Sequence, residues 1–380
     1  MRIAILTLPL SSNYGGILQC YALQTFLTRM GHSVVVLNRQ YPTTPWWRSY
    51  LRLLKRCYLF YVRKDKTSSP FPWYTSKQWN KVIQNLSSFI SRYIHMTDPI
   101  WTTTEFRKTI LSHGIEGVVY GSDQIWRPCY SPGIENAFGL FVLPEDRIRQ
   151  VAYAASFGVD QCEFSQDQLQ KYAPLLSRFD AVSVREFSGI ELCRTYFGVD
   201  TCQMIDPTLL LQSEDYGQLI DQADTNPIEG DLLTFVLDRS AEKDTIIASV
   251  AKSRQLRPYD IGPKIGDSTL TLKERIQMPV EQWLRGFRDA KIVVTDSFHG
   301  CVFSILFQKP FVAIGNASRG MARFTSLLQL FGLEDRLIGS LEEFQLRKEE
   351  LLTPIDYVSV YARLRICREN AMAFLKQNLG

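Results

Sequence analysis

A few polar side chains stand on short turns between apolar runs, where a ligand can reach them. The turn Asp296-Ser297-Phe298-His299-Gly300 follows the apolar run Ile292–Val294 and opens another. His299 is one of four histidines; imidazole exchanges a proton near neutral pH, which suits acid–base work. If a helix starts here, its N-terminus attracts an anion, and Gly300 leaves room for one beside Ser297. Asp296 is placed to orient the ring or to cap the helix. The alternative is a packed histidine satisfied by a carbonyl.

Four other groupings invite the same question. Arg185 ends the run Ala181–Val184; a guanidinium there suits bidentate binding of phosphate or carboxylate, or an ion pair with Glu186 or another acid. Ser122 and Asp123 follow the run Ile115–Tyr120. Asp123 is placed to orient a hydroxyl or take its proton, and both residues also serve as helix caps. Asn13-Tyr14-Gly15-Gly16 makes either a plain tight turn or a backbone cradle for an anion or sugar. Arg319 and Arg323 frame a turn after Phe311–Ile314 and either reach an anion or sit in a solvated loop. Ser156 follows the run Val151–Ala155 in the same way.

The elements that must position these groups follow an α/β rhythm. Residues 2–8 read as a buried strand, 17–26 as a helix ended by Gly31, and 34–37 as the next strand, a βαβ unit. Continuous apolar strands imply parallel sheets covered on both faces. Strands are predicted at 115–120, 151–155 and 181–184, with a helix over 165–177. A second series runs through a strand at 232–237, helices at 241–254 and 281–289, and strands at 291–294 and 311–314. The turn at Asp206-Pro207 and the polar stretch 212–230 mark a boundary. The reading is a first Rossmann-like domain over 1–210, a second over 228–350, and a terminal helix within 351–380 packing back on the body. In such sheets ligands bind outside the carboxyl ends of the strands, which is where the groups above stand.

Residues 42–113 interrupt the rhythm and read as an insertion, with a helix over 77–94. Within it, 46–63 mixes aromatic and basic residues, and such a helix lies either on an anionic membrane surface or on the domain itself.

Composition narrows the class. The chain has 380 residues, 45% hydrophobic and 22% charged, as folded globular proteins do. A net charge of +4 argues against a nucleic-acid binder and allows an anionic small substrate. None of the eight cysteines stands at C-x-x-C spacing, so free thiols in a reducing compartment are expected. The opening residues are broken too early for a signal peptide, and no apolar run spans a bilayer, so a cytoplasmic location is expected. No metal-ligand cluster is visible, and no metal or cofactor is expected.

Several runs occur in a telling order: Asn13-Tyr14-Gly15-Gly16, Tyr120-Gly121-Ser122-Asp123-Gln124-Ile125-Trp126, Tyr153-Ala154-Ala155-Ser156-Phe157-Gly158, Ser183-Val184-Arg185-Glu186, Asp206-Pro207-Thr208-Leu209-Leu210 and the His299 turn. Together they resemble the signatures of the polysaccharide pyruvyl transferase family across nearly the whole chain. The resemblance implies an α/β fold of two Rossmann-like domains facing a cleft, similar to the GT-B glycosyltransferases, with a C-terminal helix. It implies transfer of the pyruvyl group of phosphoenolpyruvate to two hydroxyls of a sugar, forming a ketal and releasing phosphate. The acceptor would be a bacterial surface polysaccharide or a lipid-linked precursor, met on the first domain, with the donor on the second. Peripheral contact with the inner membrane face would fit such an acceptor. Arg185 and His299 match the family's donor-binding and catalytic positions. Many members carry an arginine two places before the histidine, where this chain has Ser297; Arg319 and Arg323 are the candidates to replace its charge. A nucleotide-sugar glycosyltransferase of similar fold and a non-catalytic relative are the competing readings.

Overall fold

Apolar runs of four to seven residues become the main strands of two parallel sheets in the computed structural model of the protein. The structure describes residues 1–41, 50–51, 54–55, 57–58, 74–267, 269–316 and 320–380. The first sheet holds β1 (Arg2–Leu6), β2 (Ser33–Val36), β3 (Gly117–Tyr120), β4 (Arg149–Ala155), β5 (Ala181–Val184) and β6 (Cys202–Gln203), in the order β2-β1-β3-β4-β5-β6. The second holds β7 (Leu232–Phe235), β8 (Pro258–Asp260), β9 (Ile292–Thr295), β10 (Phe311–Ile314) and β11 (Leu337–Ile338), in the order β11-β10-β9-β7-β8. Every residue of β3, β7, β9 and β10 is buried, because helices cover both faces of each sheet.

Both sheets have the same winding. Each runs outward from its first strand in two directions, so the order reverses between β1 and β3 and again between β7 and β9. At such a switch point the two following connections leave on opposite faces and open a crevice at the strand ends. The protein therefore has two crevices, and they face each other.

The short edge strands β6, β8 and β11 escape a reading based on apolar runs, since two or three residues carry no period. The helix expected over 77–94 is two helices, Ser76–Val82 and Gln84–Tyr93. The break has a tertiary cause: the Val82 carbonyl accepts from the Gln277 amide at 2.8 Å instead of from its own helix. The insertion thus reaches across to the second domain, where Asn85 also donates to the Gln277 carbonyl and Tyr74 to that of Ile265. Most of the 46–63 segment lies outside the described residues. Among the described residues no helix is long and apolar enough to cross a membrane.

One apolar cluster joins the two domains. It runs from β1 and the Tyr14–Arg29 helix through Trp283 and Phe303 to Leu364, Leu375 and Leu379. The last three belong to the terminal helix Tyr357–Leu379, which binds both halves. Tyr361 donates to the Leu306 carbonyl at 2.6 Å, at the end of the helix that begins with the His299 turn. Arg368 donates to the carbonyls of Leu209 and Leu211 at 2.7 and 2.6 Å.

Candidate active site

Two helix N-termini meet across the cleft. The Tyr14–Arg29 helix starts at Asn13 and the Phe298–Leu306 helix at Ser297, and neither start has a side-chain cap. Uncapped first turns leave backbone N–H groups without partners, which makes each a place for an anion. Between the domains lies a cleft of ≈ 1150 Å³. Asn13, Tyr14, Gly15, Gly16, Asp123, Ser297, His299 and Arg323 all line it.

His299 is packed against the opposite helix start. A Cβ on Gly15 would fall 2.0 Å from His299 Nδ1 and 2.4 Å from Cε1, so only glycine admits the ring. On the other side, His299 Nε2 lies 3.9 Å from Asp206 Oδ2 and makes no hydrogen bond. Burial pulls the His299 pKa below the ordinary histidine value; Asp206 and Asp123 push it back up, while Arg185 and Arg323 add to the fall.

Asp206 is fully buried, and the surrounding groups hold it in one place. Its Oδ1 accepts from Thr208 N at 3.0 Å and from Thr208 Oγ1 at 2.6 Å. Its Oδ2 accepts from Arg185 Nη1 at 2.7 Å and from Ser122 Oγ at 3.1 Å. Burial raises its pKa, but Arg185, His299 and Thr208 outweigh that and leave it below the ordinary carboxylate value. Sequence reasoning treated Asp206-Pro207 as a boundary turn and missed this role. The one signal was its place among the ordered family motifs.

Arg185 therefore sits beneath the cleft, away from its wall. Its guanidinium is 3% exposed, pairs with Asp206, and lies 3.9 Å from both Asp123 Oδ1 and Glu186 Oε1. The acid that pairs with Arg185 is thus Asp206, and Glu186 is the looser contact. The Phe298 ring covers it, with the Arg185 guanidinium carbon 4.4 Å from the ring centroid. Arg323 approaches the same ring from 5.9 Å and does reach the cleft wall. Burial lowers the Arg323 pKa to about 10, with Arg185 contributing. Arg319 lies outside the described residues.

Other expected site residues take different places. Ser122 and Ser156 are fully buried; Ser122 donates to Asp206 and Ser156 to Glu186. Gly300 makes room for its own sheet, since a Cβ there would meet Thr295 Oγ1 at 2.0 Å. Asp296 neither orients His299 nor caps the helix. It accepts from the amides of Leu237 and Asp238 and from Lys243, which ties the β7 exit to the β9 exit. Tyr14 joins the domains: its ring stacks on Trp283 at 5.2 Å and its hydroxyl donates to the Met278 carbonyl at 3.0 Å.

Asp123 is not a helix cap, because turns follow it. It has φ 69°, in the left-handed region, and Ala154 on the neighbouring strand has φ 47°. The register of β4 on β5 slips between Ala152 and Ala155, the mark of a bulge. The Asp123 carbonyl then accepts from Ser156 N at 3.2 Å, so the two strand exits brace each other. Two unfavourable backbone positions beside one cleft mark a place where geometry is held at a cost.

Comparison with known proteins follows this geometry. The UDP-N-acetylglucosamine 2-epimerase from Rickettsia bellii superposes with a TM-score of 0.51 at 8% identity, over 99% of this chain and 96% of that one. The UDP-GlcNAc 2-epimerase from Methanocaldococcus jannaschii gives 0.49 at 11%, over 93% of each. Medicago truncatula UGT71G1 complexed with UDP-glucose gives 0.47 at 11%, over 100% and 98%. At 8% identity the first of these shows the fold alone: two Rossmann-like domains facing a cleft, in the GT-B arrangement. No curated protein sequence matches the chain. The model of the family described as polysaccharide pyruvyl transferase matches residues 13–318, a span that starts at the first uncapped helix and passes through β10. With every cleft element from Asn13 to His299 inside that match, the chain is a transferase and belongs to the polysaccharide pyruvyl transferase family.

Proposed function

We propose that this protein moves the pyruvyl group of phosphoenolpyruvate onto two hydroxyls of one sugar in a surface polysaccharide or its lipid-linked precursor. The carrying observation is the seat of His299, on the cleft wall between an uncapped helix start and the buried Asp206 carboxylate. A donor with a phosphate and a carboxylate fits a cleft with two uncapped helix N-termini and Arg323 on its wall. Arg323 supplies the charge that Ser297 lacks.

The chemistry balances with protein groups alone. One sugar hydroxyl bonds to C2 of the donor as the methylene C3 takes a proton and becomes a methyl. Phosphate leaves C2 and the second hydroxyl bonds there, closing the ketal. Two hydroxyl protons are released; one balances the proton taken at C3 and the other departs with phosphate. His299 as imidazolium is the acid at C3, and Asp123 takes a hydroxyl proton. Arg185 is a positioning residue, acting through Asp206.

The test combines phosphoenolpyruvate with oligosaccharides from the surface polysaccharide and follows phosphate release with the gain of a pyruvyl mass. His299→Gln is expected to lower the rate about 10²- to 10⁴-fold. Thermal protection by a nucleoside diphosphate, with none from phosphoenolpyruvate, would favour a nucleotide-sugar enzyme instead.

The pH profile carries a second expectation. In the free protein the His299 pKa lies below the ordinary value, so kcat/KM falls early as pH rises. A bound anionic donor stabilises imidazolium, so the falling limb of kcat lies at higher pH. A kcat limb at or below that of kcat/KM would refute His299 as the acid.

A further inference from the structure

Two tyrosine rings stand out from the first domain into the cleft. Tyr41 is 63% exposed and Tyr130 is 40% exposed, and both line the cleft that holds Asp123 and His299. They come from distant parts of the chain, yet one buried side chain links the segments that carry them. Arg39 donates through Nη2 to the carbonyls of Pro132 and Gly133, the latter at 2.9 Å. Arg39 stands two residues before Tyr41, and Pro132 two residues after Tyr130. The clip therefore ties the two chain segments that carry the rings to one lip.

Tyr130 is held a second time. The Arg127 guanidinium carbon lies 5.1 Å from its ring centroid, and Arg127 is tied to Glu163 and to the Gln124 side chain at 3.0 Å. Gln124 follows Asp123 directly. The ring is thus set on the same braced loop as the carboxylate that faces the cleft.

The second domain brings carboxylates to the cleft. Asp260 and Asp267 both line it. Asp260 keeps 34% of its side chain exposed, and its neighbour Arg239 is shared with Asp244. Aromatic faces on one lip and carboxylate acceptors on the other suit a neutral ring with apolar C–H faces and hydroxyl edges. A nucleoside diphosphate would want positive charge on this outer part, where Arg239 is paired with Asp244 and Asp260, and Lys264 stands near Asp267.

Resting on the pyruvyl-transfer reading, we propose that Tyr41 and Tyr130 form the platform on which the acceptor pyranose stacks, turning its hydroxyls toward Asp123. A held ring loses little freedom on binding, so Tyr130 contributes its stacking without a large ordering cost.

The experiment uses the full chain and two independent ligands. The glycoside arm titrates methyl glucopyranoside, methyl galactopyranoside and methyl mannopyranoside and follows binding by ligand-observed NMR. At least one is expected to bind the wild type, and Tyr130→Ala and Tyr41→Ala are each expected to weaken it about tenfold. Tyr130→Phe, which keeps the ring face, is expected to bind as the wild type does. The donor arm measures the thermal shift with phosphoenolpyruvate, expected to be the same in all variants. The platform is overturned if no glycoside binds the wild type, if the alanine variants bind as well as it does, or if Tyr130→Phe loses as much as Tyr130→Ala. It is also overturned if uridine diphosphate binding, in place of glycoside binding, depends on the rings. Absence of any phosphoenolpyruvate shift in the wild type, with glycoside binding intact, counts against the pyruvyl-transfer reading and leaves the sugar platform standing.

Discussion

Gly15→Ala is expected to abolish most of the activity while leaving the fold in place. The new Cβ would lie 2.0 to 2.4 Å from three atoms of the His299 ring, far inside contact distance. The ring is buried on the cleft wall, so it must turn into the cleft, move its helix or open the domains. Each response takes His299 out of its seat beside Asp206. A displacement near 1 Å at a reacting group costs about 10²-fold in rate. The helix itself tolerates the change, since alanine has the higher helix propensity. We therefore expect kcat/KM to fall about 10²-fold with the circular dichroism spectrum unchanged. Activity within about threefold of wild type would show that His299 does not need its seat against Gly15.

Asp206→Ala is expected to strike stability hardest. It strips the buried Arg185 of its 2.7 Å partner and leaves a charge in a dry place. Breaking such a pair costs about 3–5 kcal/mol, and denaturant unfolding should record it. Replacing both residues, with Arg185→Met and Asp206→Leu together, is expected to recover part of that loss, because the guanidinium is no longer left without its 2.7 Å partner; Asp123 and Glu186, each 3.9 Å from Arg185, keep the recovery partial. A double variant less stable than Asp206→Ala alone would contradict the pairing.

The same carboxylate has a pH signature. Its folded pKa lies below the ordinary value, so its contribution is fully present above the unfolded carboxylate pKa of about 4. That contribution is lost as pH falls through the folded value, and the acid limb of stability should flatten when Asp206 is removed. Buried His299 also has a lowered pKa, so its own contribution is present above the ordinary histidine pKa and fades as pH falls.

Both predictions depend on contacts between residues far apart in the chain. Gly15 and His299 belong to opposite domains, and Asp206 stands between the two sheets. A glycine at a strand-to-helix turn was legible as a place of close approach. What approaches it was not: the sequence pointed to an anion or a sugar, and the structure puts a histidine ring there. Arg185 was legible as a charged strand-end residue facing the cleft side. Its burial under Phe298 was not, because the ring that covers it comes from a helix of the other domain.

Local physics determined much of this protein by itself. Apolar runs with helical spacing between them dictate parallel strands and crossover helices, and carboxyl strand ends then mark where a ligand belongs. Asn13 to Gly16, Asp123 and His299 were found on that rule, and ordered motifs named the family. Tertiary structure alone decided which groups meet. It folded two sheets with the same winding so that their switch points oppose each other, and made Asp206 the common partner of Ser122, Arg185 and His299. It placed the left-handed Asp123 beside a bulge, and set Tyr41 and Tyr130 on one lip. The physical reason is range: periodicity and turn chemistry act within a few residues, whereas burial and ion pairing depend on neighbours that only packing brings together.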